Sequence, residues 1–244
     1  MAKREFKYVG HNVARVDGLE KVTGQAKFVG DIAVPGMLHG KILRSTYPQA
    51  RIRAIDASQA EALPGVVAVL TAADIADLNP IYNGRPVIAM NKVRYIGEPV
   101  AAVAAESLAT AEEALSLIQV DYEELPAAVG IQAALKPDAP LVHEDKGSNI
   151  GTHEKVNRGN VDEGFAQSDV IAEDNFTFPM VYHYAMEPHS AIAHYDDNEI
   201  TVWSSAQHPF QVRGDIAKVF KVTTAKVRLI INYLGGGYGS KSYT

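Results

Sequence analysis

The sequence predicts a mixed α/β protein, on two strand–helix–strand patterns and a glycine-rich loop that closes the second. The first pattern runs from Gly97 to Pro126. Pro99–Ala105 is a continuous apolar run, a helical pattern follows to about Ile118, and Gln119–Glu123 is a further strand. The second joins a strand at Glu199–Ser204, a helix from Pro209 to about Phe220, and an apolar, β-branched strand at Lys226–Tyr233. In the first unit the two strands are expected to be parallel and joined by a right-handed crossover.

In chain order, Gly10 to Asp31 is polar and spaced by glycines, so it is expected to thread over a surface. Solvation is the preferred reading for Arg15, Asp17 and Lys21. Strands are predicted at Met37–Leu43, Ala50–Asp56 and Val66–Leu70. Ser58-x-x-Glu61 has the form of a capping box for a helix that stops before Pro64-Gly65. Thr71 is placed as the cap of another short helix, with Asp74 in its first turn. Within the 97–126 unit, Thr110-x-x-Glu113 is the predicted cap, and Ala111, Ala114, Leu115 and Ile118 share one face. From Ala127 to about Asn160 the pattern is polar, proline-bearing and without period, as in a linker. A short amphipathic helix is expected at Val161–Gln167, then an alternating strand at Val170–Phe178.

Composition bounds the function. The 244 residues are 47% hydrophobic and 21% charged, with a net charge of −6, so no basic surface for nucleic acid is indicated. No apolar run approaches the roughly 20 residues of a membrane span, and the charged start lacks a signal peptide's apolar core. A cytoplasmic location is the expectation. The chain has no cysteine, so it cannot itself ligate an iron–sulfur cluster or a thiolate-bound zinc.

Three stretches carry candidate chemistry. In His183–His194, an extended chain would put His183, Glu187 and His189 on one face and His194 on the other. Pro188 interrupts that strand, and neutral, hydrogen-bonded histidines are preferred to a metal site. In Trp203–Pro209, Gln207 and His208 fall where strand gives way to helix, as ligand-facing side chains or as caps. In Leu234–Lys241, four glycines in five positions leave bare backbone N–H groups able to cradle an anion or a metal-oxo oxygen. The spacing fits neither G-x-x-x-x-G-K-[ST] nor G-x-G-x-x-G, because Ser240 stands where the last glycine is needed. Gln207 and the glycine loop should emerge at the same edge of one sheet, which favours a binding site over a plain turn.

These motifs together resemble the molybdenum-binding large subunit of the xanthine dehydrogenase/aldehyde oxidase family, the molybdenum hydroxylases. The resemblance covers nearly the whole chain. It lies in Arg15-x-Asp17 with Lys21-Val-Thr23-Gly24, in Leu38–Ser45, and in Gly97-Glu98-Pro99 through Tyr122–Pro126. It continues through Met186-Glu187-Pro188-His189, Ser204-Ser205-Ala206-Gln207 and Gly235–Lys241. It implies an entry segment and α/β hammerhead domain over residues 1–130, a linker over 131–160, and the first part of a molybdopterin-binding α/β domain over 161–244. Gln207 matches the glutamine that hydrogen-bonds an oxo ligand of the metal. Gly236, Gly237, Tyr238 and Gly239 match the loop whose amides meet the cofactor, with Tyr238 in place of Phe and Ser240 in place of Gly. Glu187 is read as architecture, and no residue of this chain is expected to ligate the metal.

The resemblance further implies a molybdenum–molybdopterin cofactor, in its cytosine dinucleotide form, used to oxidise an N-heterocycle, aldehyde or similar substrate with water-derived oxygen. The glutamate that acts as general base is expected outside this chain, so the catalytic residue is unassigned. The missing part is expected either in a longer chain or in a second molybdopterin-binding subunit, with [2Fe-2S] and FAD on partner chains. Two rivals stand beside this reading: a phosphate- or nucleotide-binding protein using the glycine loop, and a non-catalytic assembly subunit.

Overall fold

A computed structural model describes residues 6–78, 81–82 and 85–242 of the chain. The first helix, α1 (Gly18–Val22), is a little over one turn long. Beyond it the chain divides into two compact units. One is Leu38–Tyr182; the other joins Met1–Met37 to His183–Thr244.

In the unit formed by Leu38–Tyr182, β1 (His39–Arg44), β2 (Ala50–Asp56), α2 (Ser58–Glu61) and β3 (Val66–Leu70) come first. Three two-residue strands follow, β4 (Ile81–Tyr82), β5 (Arg85–Pro86) and β6 (Lys92–Val93). Then come β7 (Pro99–Ala105), α3 (Leu108–Leu117) and β8 (Gln119–Glu124). The expected parallel pairing within 97–126 does not form. β7 is the centre of an antiparallel sheet ordered β1-β7-β3, while β8 lies in a second sheet ordered β6-β2-β8. His39 pairs with Ala105 in one sheet, and Ala50 with Glu124 in the other. The physical reason is that an apolar run reports burial on two faces and is silent on strand direction. Ala101, Val103 and Ala105 pack with Ala111, Ala114 and Ile118, whereas Val100 packs with Ala50, Ala89 and Val93. The first of these cores is largely alanine, which lets α3 lie close to the sheet.

Several local expectations change for related reasons. Helix α3 is capped by Ser107, whose Oγ accepts the Thr110 N–H at 3.1 Å, so the predicted Thr110 cap sits one turn too late. At α2 the acceptor is Asp56, which takes both the Ser58 N–H and hydroxyl, and no Ser58 capping box forms. Asp74 likewise receives the Thr71 N–H and hydroxyl at 2.7 Å each, and the segment stays a series of turns. At Ser58 and Thr71 a neighbouring carboxylate takes the local donors in place of a hydroxyl cap.

Residues 131–150 lack periodicity yet are tied down by side chains. They include α4 (Ile131–Ala134), and Asn149 donates to the Ala134 and Pro140 carbonyls while accepting from the Val142 N–H. Gln49 donates to the Leu141 carbonyl, and Lys92 pairs with Glu144. The helix α5 (Val161–Ala166) forms as expected, with Asn160 accepting the Glu163 N–H. The strand expected at Val170–Phe178 does not form. Phe176 and Phe178 are 91% and 89% exposed, and no strand pairs with this segment among the described residues. Alternation sets a strand's two faces, but a strand also needs a neighbour's backbone.

In the other unit, β9 (Ala191–Asp196) and β10 (Glu199–Ser204) form a hairpin. Its turn residues Asp197 and Asn198 have φ of 45° and 61°, the left-handed geometry of a tight two-residue connection. Helix α6 (Pro209–Val219) then crosses to β11 (Val227–Ile230), which pairs parallel with β10 in the order β11-β10-β9. This is the second predicted β-α-β unit. Its core is Ile200, Val202, Ala217 and Val227. β11 stops at Ile230, short of the predicted Tyr233, its last pair with β10 being Trp203 with Ile230. The opening segment docks around Tyr233, just beyond that strand. The Tyr233 hydroxyl donates to Glu20, its ring lies 5.8 Å from that of Phe28, and the Lys21 ammonium sits 5.8 Å above it.

Replacing Ser107 with alanine should lower stability by about 1 kcal/mol. Glu113→Ala, in the predicted but unformed box, should change it by less than about 0.5 kcal/mol. Urea unfolding followed by circular dichroism distinguishes the two; equal effects would contradict the assigned cap.

Candidate cofactor-binding loop

Three stretches of chain meet where β10 and β11 end. Ser204, Ser205 and Ala206 are buried as the first of them leaves the sheet. Ser205 binds back to the segment before β9: its N–H donates to the Ser190 carbonyl, and its hydroxyl accepts the Ser190 N–H at 3.1 Å. That fixes Met186–Ser190 alongside Ser204–Gln207. The glycine loop then folds onto both.

The loop is held by two side chains. The Glu187 Oε2 oxygen accepts the Gly235 N–H at 2.7 Å and the Lys241 ammonium at 2.7 Å. Lys241 is 0% exposed, and the Glu187 side chain 9%. The Gln207 Oε1 oxygen accepts the Gly239 N–H at 3.0 Å, and the Gln207 N–H donates to the Lys241 carbonyl at 2.9 Å. Since Oε1 is engaged, the free end of the Gln207 amide is the Nε2 donor.

The glycines are required by space as much as by conformation. A Cβ on Gly235 would lie 2.6 Å from the Glu187 Cβ, and one on Gly237 would lie 2.6 Å from the Gln207 carboxamide carbon. One on Gly236 would meet the Tyr238 ring at 2.7 Å. Gly239 has φ of +93°, a region that disfavours other residues. Tyr238 is also left-handed, at φ 50°, with its ring 74% exposed and folded over Gly236. Such a non-glycine outlier is concentrated at ligand-binding turns. Ser240 is not among the positive-φ residues, and its hydroxyl donates to the Gly237 carbonyl at 2.7 Å, so serine is accommodated there.

The outcome for the predicted site residues is therefore mixed. Gln207 and Gly236–Gly239 converge as expected. The Gly239 amide, however, is spent on Gln207, which leaves the N–H groups of Gly236, Gly237 and Tyr238 without an acceptor among the described residues. His208 precedes α6 but makes no side-chain cap. The histidine cluster disperses: Tyr184 takes φ of 47°, which breaks the assumed extended geometry, and His183, His189 and His194 are exposed. Among the described residues no three His, Asp or Glu side chains are grouped to hold a metal ion. Among the described residues, 239–242 turn back through the Ser240 N–H on the Gly237 carbonyl and the Ser242 N–H on the Gly239 carbonyl. Sequence reasoning missed Lys241 as a partner of Glu187, since nothing local signals a pairing across 54 positions.

The arrangement suits an anionic or oxo-bearing group. Successive bare amides form a concave anion site, and the Gln207 Nε2 adds a directed donor. Beside the loop a cavity of about 350 Å³ is lined by Phe28, Asp31, Met186, Glu187, Gly235 and Gly236, among others. Glu187 Oε1 is buried without a donor among the described residues, so it retains acceptor capacity for a ligand N–H.

Comparison with known proteins agrees with this architecture. A family model described as "aldehyde oxidase and xanthine dehydrogenase, a/b hammerhead domain" matches residues 23–126, and one described as "molybdopterin cofactor-binding domain" matches residues 142–244. The chain belongs to the xanthine dehydrogenase/aldehyde oxidase family. Within it, the chain corresponds to the N-terminal part of a molybdenum-binding large subunit. It is 39% identical to a probable xanthine dehydrogenase subunit of Bacillus subtilis, over 93% of this chain and 31% of that protein. It is 37% identical to the nicotinate dehydrogenase large molybdopterin subunit of Eubacterium barkeri, over 98% of this chain and 56% of that protein. The quinoline 2-oxidoreductase structure from Pseudomonas putida superposes with a TM-score of 0.89 at 34% identity, over 95% of this chain and 31% of that one. The chain thus spans between about a third and just over half of these relatives.

Gly237→Ala should destabilise the chain by about 1–3 kcal/mol by forcing the Gln207 side chain aside. Thermal unfolding together with a structure of the variant tests this. Unchanged stability with the Gln207–Gly239 bond intact would contradict the close approach.

Proposed function

We propose that this chain supplies the first half of a molybdenum–pterin site in a multi-subunit oxidoreductase of the molybdenum hydroxylase class. The observation that carries the reading is the loop 235–239, whose three unpartnered amides flank a glutamine with a free donor end. Gln207, Gly236, Gly237 and Tyr238 would hold the cofactor by donating hydrogen bonds. Gly239 would act by orienting Gln207. When bound, the group supplies a redox metal that accepts electrons as a substrate carbon is oxidised. The chain's own part is to bind and orient: backbone dipoles offset anionic charge, and tight packing of glycines on Glu187 and Gln207 keeps those dipoles fixed.

On this reading, residues 1–130 are the opening segment and hammerhead domain, 131–160 connect, and 161–244 begin the cofactor-binding domain. The cofactor takes its cytosine dinucleotide form. These 244 residues contain no cysteine, so [2Fe-2S] centres would be ligated by polypeptide outside them; we assign these centres and FAD to partner chains. The general base lies in polypeptide outside these residues. The substrate is a small N-heterocycle, aldehyde or related compound, a range consistent with the xanthine, nicotinate and quinoline named for the relatives. A cytoplasmic location is part of this proposal; separately, among the described residues no helix is long and apolar enough to cross a membrane.

Metal analysis of the chain purified with its partners tests this. The native complex should hold stoichiometric molybdenum, and Gln207→Ala should weaken retention about tenfold, as does loss of a group orienting a metal site. Full molybdenum content and turnover in both Gln207→Ala and Gly237→Asp would remove this loop from the site.

A further inference from the structure

We propose that Glu187 and Lys241 are positioning residues that set the shape of the amide loop and, through it, affinity for the molybdenum–pterin group. The inference rests on the functional reading above. One carboxylate oxygen receives donors from both ends of the loop, the Gly235 N–H and the Lys241 ammonium, each at 2.7 Å. That single atom closes a span of seven residues, 235–241. Between the two tied ends lie Gly236, Gly237 and Tyr238, whose amides have no acceptor among the described residues. The tie extends to Gln207, since its N–H is bound to the Lys241 carbonyl. Both proposed cofactor contacts therefore hang from the same pair.

Stability alone is a poor reason for this pair. Taking both charges out of water is costly, and apolar residues of similar volume often hold a core as well or better. An apolar pair cannot accept the Gly235 N–H or fix the two loop ends to one point. The approach is also specific: only glycine at position 235 lets Glu187 come so near, since an added Cβ would lie 2.6 Å from that of Glu187. The Glu187 Oε1 oxygen is left without a partner, which a purely structural ion pair would be expected to satisfy.

The test uses the chain purified with its partners from molybdate-supplied cells, with molybdenum per chain and thermal unfolding measured in parallel. Glu187→Asp keeps the charge opposite Lys241 but is one methylene too short to hold both ends. It should fold with near-native melting and retain at least about fivefold less molybdenum. The double variant Glu187→Gln with Lys241→Met removes both charges; it should melt above Lys241→Met alone yet stay molybdenum-poor. Native molybdenum content in either folded variant would overturn the proposal. Should neither fold, residue-resolved hydrogen exchange of the unaltered complex, purified from cells unable to make the cofactor, decides: the Gly235 amide should exchange about tenfold or more slower than those of Gly236 and Gly237, and equal rates would overturn it. An unaltered complex without molybdenum would instead refute the functional reading, while the exchange measurement still tests the clamp.

Discussion

A buried ion pair organises the end of this chain. Lys241 has no exposed surface, and its charge is tolerable only because the Glu187 carboxylate lies against it. Removing either partner alone strands a charge in the interior, a loss on the order of 3–5 kcal/mol. That same carboxylate meets the Gly235 N–H, so electrostatic necessity and loop geometry are joined in one contact. The consequence is a run of amides that the protein leaves unpaired at a defined place.

The surrounding fold explains how the parts arrive there. The β10–α6–β11 crossover brings the ends of two parallel neighbours to one sheet edge, so Gln207 and the glycine loop leave the sheet side by side. The Ser205–Ser190 bonds carry the Glu187 segment to the same edge. The opening segment, through Phe28, Glu20 and Lys21, packs around Tyr233 just before the loop. The Leu38–Tyr182 unit uses a different device, an alanine-rich interface between α3 and the sheet centred on β7.

Much of this was legible in the sequence where burial and period coincide. Helix α6 with Pro209 in its first turn and the convergence of Gln207 with the glycines both follow from local pattern. Strand partnership was not. Pro99–Ala105 reads as a parallel strand because it is apolar throughout, yet it is the middle of an antiparallel sheet with both faces covered. Val170–Phe178 alternates correctly and still finds no neighbour among the described residues. Capping failed where an aspartate lay near the expected hydroxyl, as at Asp56 and Asp74. The site residue that sequence reasoning missed, Lys241, acts through a partner 54 positions away, and such pairings carry no local signature.

The central claim is that this loop and Gln207 form one wall of a molybdenum–pterin site. The most direct measurement is a structure of the assembled, metal-loaded complex with the molybdenum located by its anomalous scattering. The claim requires cofactor atoms within hydrogen-bonding reach of the Gln207 Nε2 and of the Gly236 or Gly237 amides. A molybdenum centre distant from this loop, or the loop covered by polypeptide with no cofactor against it, would contradict it.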